Sequence, residues 1–365
     1  MSTSFFEDTP NRRAYWGYSL FELGERGLIP DSLARYGMRT LIQQRLRDEA
    51  LNDGELRVRR FNKLINSMRA GPIAMEIPVA NSAHEDIPVE FFQLHLGPNL
   101  KNSCCYYPAG LETLAQAEQA MLVLYAERAQ LSDGQRILDL GCGWGALSLW
   151  LAERYPNAQI VGLSNSHAQR EFIERRAGER GLKNLRIATG NVVDFEFAAI
   201  GVRTAFDRVI SIEMFEQMKN YGLLFEKLAG WMKPDAQLFV HIYAHRLLAY
   251  HFEVKDRRDW MTQYFFQGGM MPSESLFAYF QDNLKLQRSW WLSGRHYQRT
   301  AKHWLAAMDH AKAQILPWLE VTYGARQALL WWRRWRMFYI AVAELFGYAG
   351  GTEWGVGHYL FERRD

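Results

Sequence analysis

The chain has 365 residues, 48% of them hydrophobic, enough for a sizeable core in one large or two coupled domains. A formal net charge of +3 is too small an excess to point to nucleic acid, which calls for a concentrated basic face. The three cysteines, Cys104, Cys105 and Cys142, are too few for a disulfide framework, and the adjacent pair lacks metal-ligand spacing. Residues 1–18 contain no apolar core of signal-peptide length, and no run reaches the length of a bilayer span. A cytoplasmic protein without stable membrane insertion is expected.

Up to about residue 100 the chain reads as helical and polar-rich, with apolar residues at helical spacing over 33–52. Residues 101–110, KNSCCYYPAG, read as a loop, and 113–130 as a helix. Strands then alternate with helices. The strands fall at 136–140, 159–163, 185–188, 206–212 and 238–243, the last after a turn over 230–235. Alternation of this kind predicts an α/β fold with a parallel, doubly wound sheet. After about 247 the sequence is helical, aromatic and irregular to about 350, with a further strand predicted at 284–291. Residues 353–362 alternate as a last strand. A last strand after a long helical insertion predicts an insertion that folds over the sheet as a lid. The expected organisation is a helical N-terminal cap (1–100), a core (101–247), a lid (248–350) and a final core strand (351–365).

The strongest local signal is DLGCGWG at 139–145, where a strand ends and a helix begins. Glycines there let the backbone turn tightly and approach a ligand, with helix N–H groups facing it. The compact spacing, with Asp139 just ahead of Gly141 and Gly143, predicts an S-adenosylmethionine site. The Asp139 carboxylate can serve the amino group of the methionine moiety. No acid ends the second strand, so Ser164, Asn165 and Gln169 are the candidates for ribose contacts. Asn191 and Val192 follow the third strand. There Asn191 is either an adenine contact or an ordinary turn residue.

The segments DLGCGWGALSLWLAERYPNAQIVGLSNSHAQ, SCCYY (103–107) and MFE (214–216) resemble the cyclopropane fatty acid synthase superfamily of methyltransferases. SIEMFEQMKN, LFVHIYAH, YFFQGGMMPS, GRHYQRT, YIAVAELFGY and EWGVGHYLFE are similar to its coclaurine N-methyltransferase branch, whose members methylate tetrahydroisoquinoline nitrogen. The resemblance covers about residue 85 to the end. It implies a class I methyltransferase, Rossmann-like sheet with a reversed last strand. It also implies S-adenosylmethionine as methyl donor, S-adenosylhomocysteine as product, a small amine as substrate, and a homodimer. Ser103 falls with the cofactor-binding residues.

Two chemistries occur in that superfamily. The N-methylating branch carries Glu-x-x-Glu-His facing the acceptor, which maps to Glu213, Glu216 and Gln217. Gln217 replaces the histidine and cannot titrate, though it can orient an amine by hydrogen bonding. The cyclopropane-forming branch holds a bicarbonate base with residues that map to Cys104, Glu216, His241 and Tyr297. All four residue types are present, and bicarbonate is expected only under that alternative. Either way, a protonated amine must lose its proton before it can attack, and a carboxylate or His241 can take it. If 213–216 is helical, both carboxylates share one face. Tyr106, Phe265 and Trp335, with Tyr107, Phe252, Phe266, Trp331 and Trp332, are candidates for an aromatic acceptor wall. Core packing is the competing account for His241, Tyr297 and the 331–338 stretch.

Overall fold

The computed structural model describes residues 20–74, 87–255 and 259–364. The N-terminal stretch read as lacking a signal peptide, and part of the predicted N-terminal cap, lie outside the described residues. Helices α1 (Leu20–Arg26), α2 (Asp31–Asp48) and α3 (Gly54–Ala70) come first. The short α4 (Val89–Gln93) and α5 (Leu114–Arg128) follow. Thr113 starts α5 through a capping box with Gln116, in which each side chain meets the other's backbone N–H.

The sheet strands are β1 (Arg136–Leu140), β2 (Gln159–Ser164), β3 (Leu185–Thr189), β4 (Phe206–Ile212) and β5 (Met232–His245). Between them lie α6 (Ala146–Arg154), α7 (His167–Glu179) and α8 (Tyr221–Trp231). Ser166 and Asn220 cap α7 and α8 with their side chains. The two-residue strands β6 (Tyr250–His251) and β7 (Met270–Met271) pair with each other and flank α9 (Trp260–Phe265). Strand β8 (Leu284–Ser293) precedes α10 (Arg295–His310), α11 (Lys312–Tyr323) and α12 (Ala328–Gly347). Strand β9 (Trp354–Arg363) closes the fold.

The seven-stranded sheet has the order β3-β2-β1-β4-β5-β9-β8. Strands β1 to β5 are parallel, and β9 runs antiparallel to β5. This is the predicted doubly wound α/β sheet with a reversed last strand. Two apolar layers sandwich it, as burial on both faces requires. The turn predicted at 230–235 is not a turn. Helix α8 runs to Trp231 and β5 starts at once. Met232 pairs with Phe206 and Gln237 with Arg208, so β5 bulges between them around Pro234, which has no N–H for the ladder. Helix α12 packs on α10, α11, α2 and α1. Its Glu344 accepts from Arg35 and Arg39 of α2 at 2.8 and 2.6 Å. These pairs tie the N-terminal helices to the helices between β8 and β9.

Candidate active site

The chain leaves β1 through Gly141, Gly143 and Gly145, all at positive φ (82°, 51° and 81°). The N–H groups of Gly141 and Cys142 both donate to Leu163 O of the neighbouring strand, which forces the tight turn. A Cβ on Gly145 would lie 2.6 Å from Ile173, so that glycine serves packing. A Cβ on Gly143 would meet nothing within 4 Å, because this position faces an open cleft. The cleft, about 380 Å³, is also lined by Ser103, Asp139, Gly141 and Gln169. A backbone cradle with room in front of it and a buried carboxylate beside it fits the amino-acid end of S-adenosylmethionine.

Asp139 is buried and accepts from Ser148 Oγ at 2.6 Å. Burial raises its pKa to about 6 from 3.8, against the opposing pull of the serine. The folded state therefore holds this proton more tightly than the unfolded chain does. The associated stability is complete below about pH 4 and is lost as pH rises through 6, to the extent of about 2–3 kcal/mol. Asp139→Asn is expected to stabilise the cofactor-free protein at pH 7.5 and about half as much at pH 5. Its affinity for S-adenosylmethionine should fall. Urea unfolding at the two pH values measures this, and equal gains at both would refute it.

At the far side of the cleft, β4 ends at Ile212 and the chain reverses at Glu213, a non-glycine residue with φ 49°. Such a conformation costs about 1–3 kcal/mol and is kept where the surroundings over-determine it. Here they do. Glu213 N donates to His241 O at 2.8 Å. The carboxylate accepts from Cys104 N at 2.9 Å and from Tyr297 Oη at 2.7 Å. His241 Nε2 lies 3.0 Å from the same carboxylate. The backbone reversal means that 213–216 is not helical. Only a short 3-10 turn, Phe215–Gln217, follows.

Glu216 therefore points elsewhere. It is buried, its Oε1 accepts from Tyr243 N at 2.8 Å, and Oε2 has no partner among the described residues. Burial, then the nearby Glu213 charge, pushes its pKa far up. Burial also raises Glu213, but Lys101, the Cys104 N–H and Tyr297 oppose the rise. Two adjacent buried carboxylates cannot both ionise cheaply. The one with three donors keeps the charge and the one with a single donor keeps the proton. His241 is fully buried and held well below its ordinary pKa by desolvation, so it is neutral.

The other predicted residues divide. Gln217, Phe265, Tyr297 and Trp335 line the same cleft, and Phe265 stacks on Phe338 at 4.4 Å. Cys104 contributes its backbone. Burial pushes its thiol pKa up, so the sulfur stays protonated. Ser164 does not line the cleft. Its hydroxyl donates to Gln169 Oε1 at 2.6 Å and so orients a residue that does. Asn165 is exposed, Val192 packs in the core, and Asn191 accepts from Val193 N in a local turn. Tyr106 packs beside His296, away from the cleft, and Tyr107 reaches His303. Trp331 stacks on Tyr323 and Trp332 faces Lys312. Lys219 pairs with neither carboxylate but donates to Gly269 O and meets His251.

Sequence reasoning missed a second cavity of about 740 Å³ between α2, α3 and α12, with Phe252 and Phe266 in its wall. It meets the first at Tyr243, Phe266, Tyr297 and Val342. Buried Tyr243 Oη has no partner at that junction among the described residues. Lys101 was missed as well. It is buried, and its Nζ donates to Ser103 Oγ at 2.5 Å and Cys104 O at 2.6 Å, bracing the loop that faces Glu213.

A glycine-turn cleft on a sheet of this topology defines an S-adenosylmethionine-dependent methyltransferase. The family model for mycolic acid cyclopropane synthetase matches residues 77–346, and the chain belongs to that family. It is 38% identical over 344 residues to an (S)-coclaurine N-methyltransferase of Thalictrum flavum subsp. glaucum, covering 93% of this chain and 94% of that protein. Its identity to the Papaver somniferum enzyme of the same name is 37% over 343 residues, covering 93% and 96%. The crystal structure of a coclaurine N-methyltransferase bound to N-methylheliamine and S-adenosylhomocysteine superposes with TM-score 0.89 at 38% identity. It covers 94% of this chain and 98% of that one. No helix among the described residues is long and apolar enough to cross a membrane.

Proposed function

We propose that the protein transfers a methyl group from S-adenosylmethionine to the nitrogen of a small cyclic or arylalkyl amine such as a tetrahydroisoquinoline. The similar relatives are named for reactions of this kind. The carrying observation is the buried Glu213 carboxylate in the smaller cleft, surrounded by Cys104 N, His241 and Tyr297, the last of which lines both cavities. Gly141, Gly143, Asp139, Ser103 and Gln169 would hold the cofactor, which supplies an electrophilic methyl group on a sulfonium. The larger cavity would admit the amine to the smaller cleft, where Phe265, Trp335 and Phe338 would exclude water and face its ring. Glu213 attracts the ammonium form and takes its proton, which frees the lone pair for attack. Tyr243 Oη and Gln217 offer hydrogen bonds that orient the nitrogen.

The same geometry weighs against a bicarbonate-dependent acyl-lipid reaction. The Cys104 N–H, His241 and Tyr297 already surround Glu213. A side-chain carboxylate thus stands among the groups assigned to a bicarbonate ion, and Glu216 faces Tyr243 instead. Purified protein incubated with labelled S-adenosylmethionine should label a tetrahydroisoquinoline, with or without added bicarbonate. Label in unsaturated phospholipid vesicles that depends on bicarbonate would overturn the reading.

Gln217 borders the cleft and lies against Gly269. With Glu213 as base, Gln217→His should change kcat by less than about fivefold. Base catalysis by the histidine itself would bring a rise nearer 10²-fold, which kinetics at saturating amine would reveal. A cytoplasmic homodimer is the accompanying expectation, checked by sedimentation of the purified chain.

A further inference from the structure

Behind Glu213 a line of polar groups runs out of the site. His241 and His358 are cross-strand partners on β5 and β9, both fully buried. His358 Nε2 is 2.9 Å from His241 Nδ1, and Arg128 Nη1 of α5 is 2.8 Å from His358 Nδ1. We propose that Arg128 and His358 are positioning residues that lock the proton of His241 on Nε2 and so hold Glu213 as the ionised acceptor. This rests on Glu213 being the base described above.

The argument is one of donors and acceptors. A guanidinium can only donate. His358 Nδ1 must therefore accept, which puts its proton on Nε2. That proton points at His241 Nδ1, which must also accept. The remaining proton of His241 then lies on Nε2, aimed at Glu213 Oε1. Tyr125 Oη, 2.9 Å from the same Nδ1, can only share that single lone pair with the His358 N–H. Every link has one direction, from a half-buried cation to a buried carboxylate. Both imidazoles are kept neutral by burial, aided by the Arg128 and Lys101 charges. Trp290 of β8 lies 5.0 Å under the Arg128 guanidinium and supports it.

Without Arg128, His358 is free to place its proton on Nδ1. The line can then reverse and turn a lone pair of His241 toward Glu213, which makes ionisation harder. The other groups facing Glu213 are unchanged by this: Lys101 and Cys104 from the loop before α5, Tyr297 from α10, and the protonated Glu216. The predicted effect therefore falls on the pH dependence of turnover.

The test uses the full-length protein with a tetrahydroisoquinoline acceptor. Arg128→Met should shift the acid limb of kcat upward by about one pH unit, which lowers kcat about tenfold on the acid side of the limb and by about two- to fivefold at pH 7. The amine KM and the S-adenosylmethionine Kd should stay within about twofold. Arg128→Lys, still only a donor, should recover kcat to within about threefold and restore the limb. If Arg128→Met does not fold, His358→Gln and His358→Leu replace it. Glutamine can accept from Arg128 and donate to His241, whereas leucine can do neither, so only the leucine variant should move the limb. An unmoved acid limb in Arg128→Met or His358→Leu would overturn the proposal, as would equal damage in the conservative variants. Glu213→Gln separates the two failures. If it abolishes the acid limb while Arg128→Met leaves it in place, the base stands and the relay falls. If it keeps full turnover, the base itself falls.

Discussion

Glu213→Gln is expected to lower kcat for amine methylation by about 10²–10⁴-fold, the range in which a positioned general base contributes. The substitution is nearly isosteric and suits the surrounding donors. One amide oxygen can accept from Cys104 N and His241 Nε2, the pair that meets Oε1 now. The amide nitrogen can donate to Tyr297 Oη, because a hydroxyl also accepts. The fold and the cofactor affinity should therefore survive, with the S-adenosylmethionine Kd within about twofold, while the negative charge that draws the ammonium is lost. Glu216→Gln provides the contrast. Glu216 already carries its proton in the folded state, so a neutral amide that still accepts from Tyr243 N replaces like with like. Its kcat should fall by less than about tenfold. The comparison is made in stopped assays at saturating amine, with calorimetry for the cofactor. Equal losses in the two variants would mean that the charge does not reside on Glu213.

The elements and the glycine turn could be read from local pattern because each is a local matter. A strand such as Arg136–Leu140 announces itself by a short apolar run, and Gly141 and Gly143 by the turn they permit. The architecture around Glu213 is not local. Its donors come from the loop at 104, from β5 at 241 and from α10 at 297. Spacing suggested that Glu213 and Glu216 share a helix face. The left-handed backbone at Glu213 separates them, and no residue type advertises a positive φ on a glutamate. Ser164 reads as a ribose contact from its place after the second strand, and its pairing with Gln169 and the Ser166 N–H is a detail of the folded chain that this place does not announce. Arg128 sits in the last turn of α5, and its histidine partner lies 230 positions away. The cavity between α2, α3 and α12 is walled by helices some 300 residues apart in the chain, so it had no signal in periodicity.

Gly143→Asp is expected to weaken S-adenosylmethionine binding by at least about 100-fold while leaving the cofactor-free protein folded. The reason lies in what surrounds this glycine. Its φ of 51° is one that aspartate tolerates better than most residues, at about 1–2 kcal/mol, and its Cβ direction is open. The new Cβ therefore meets no protein atom within 4 Å, and the side chain would project into the cleft that Gly143 lines. There its charge lies near Asp139 and opposes the carboxylate of the methionine moiety, while its bulk takes cofactor space. Gly145→Ala, two residues on, should behave in the opposite way. Its Cβ would press on buried Ile173 at 2.6 Å and its φ is 81°, so stability falls by about 1–3 kcal/mol. Whatever of it is folded should still bind the cofactor. Calorimetric titration paired with thermal unfolding of both variants separates the two roles. If Gly143→Asp bound the cofactor normally, the space in front of the turn would not be its site. If it simply unfolded, the turn's task would be structural, and the assignment of the methyl donor to this cleft would lose its main physical support.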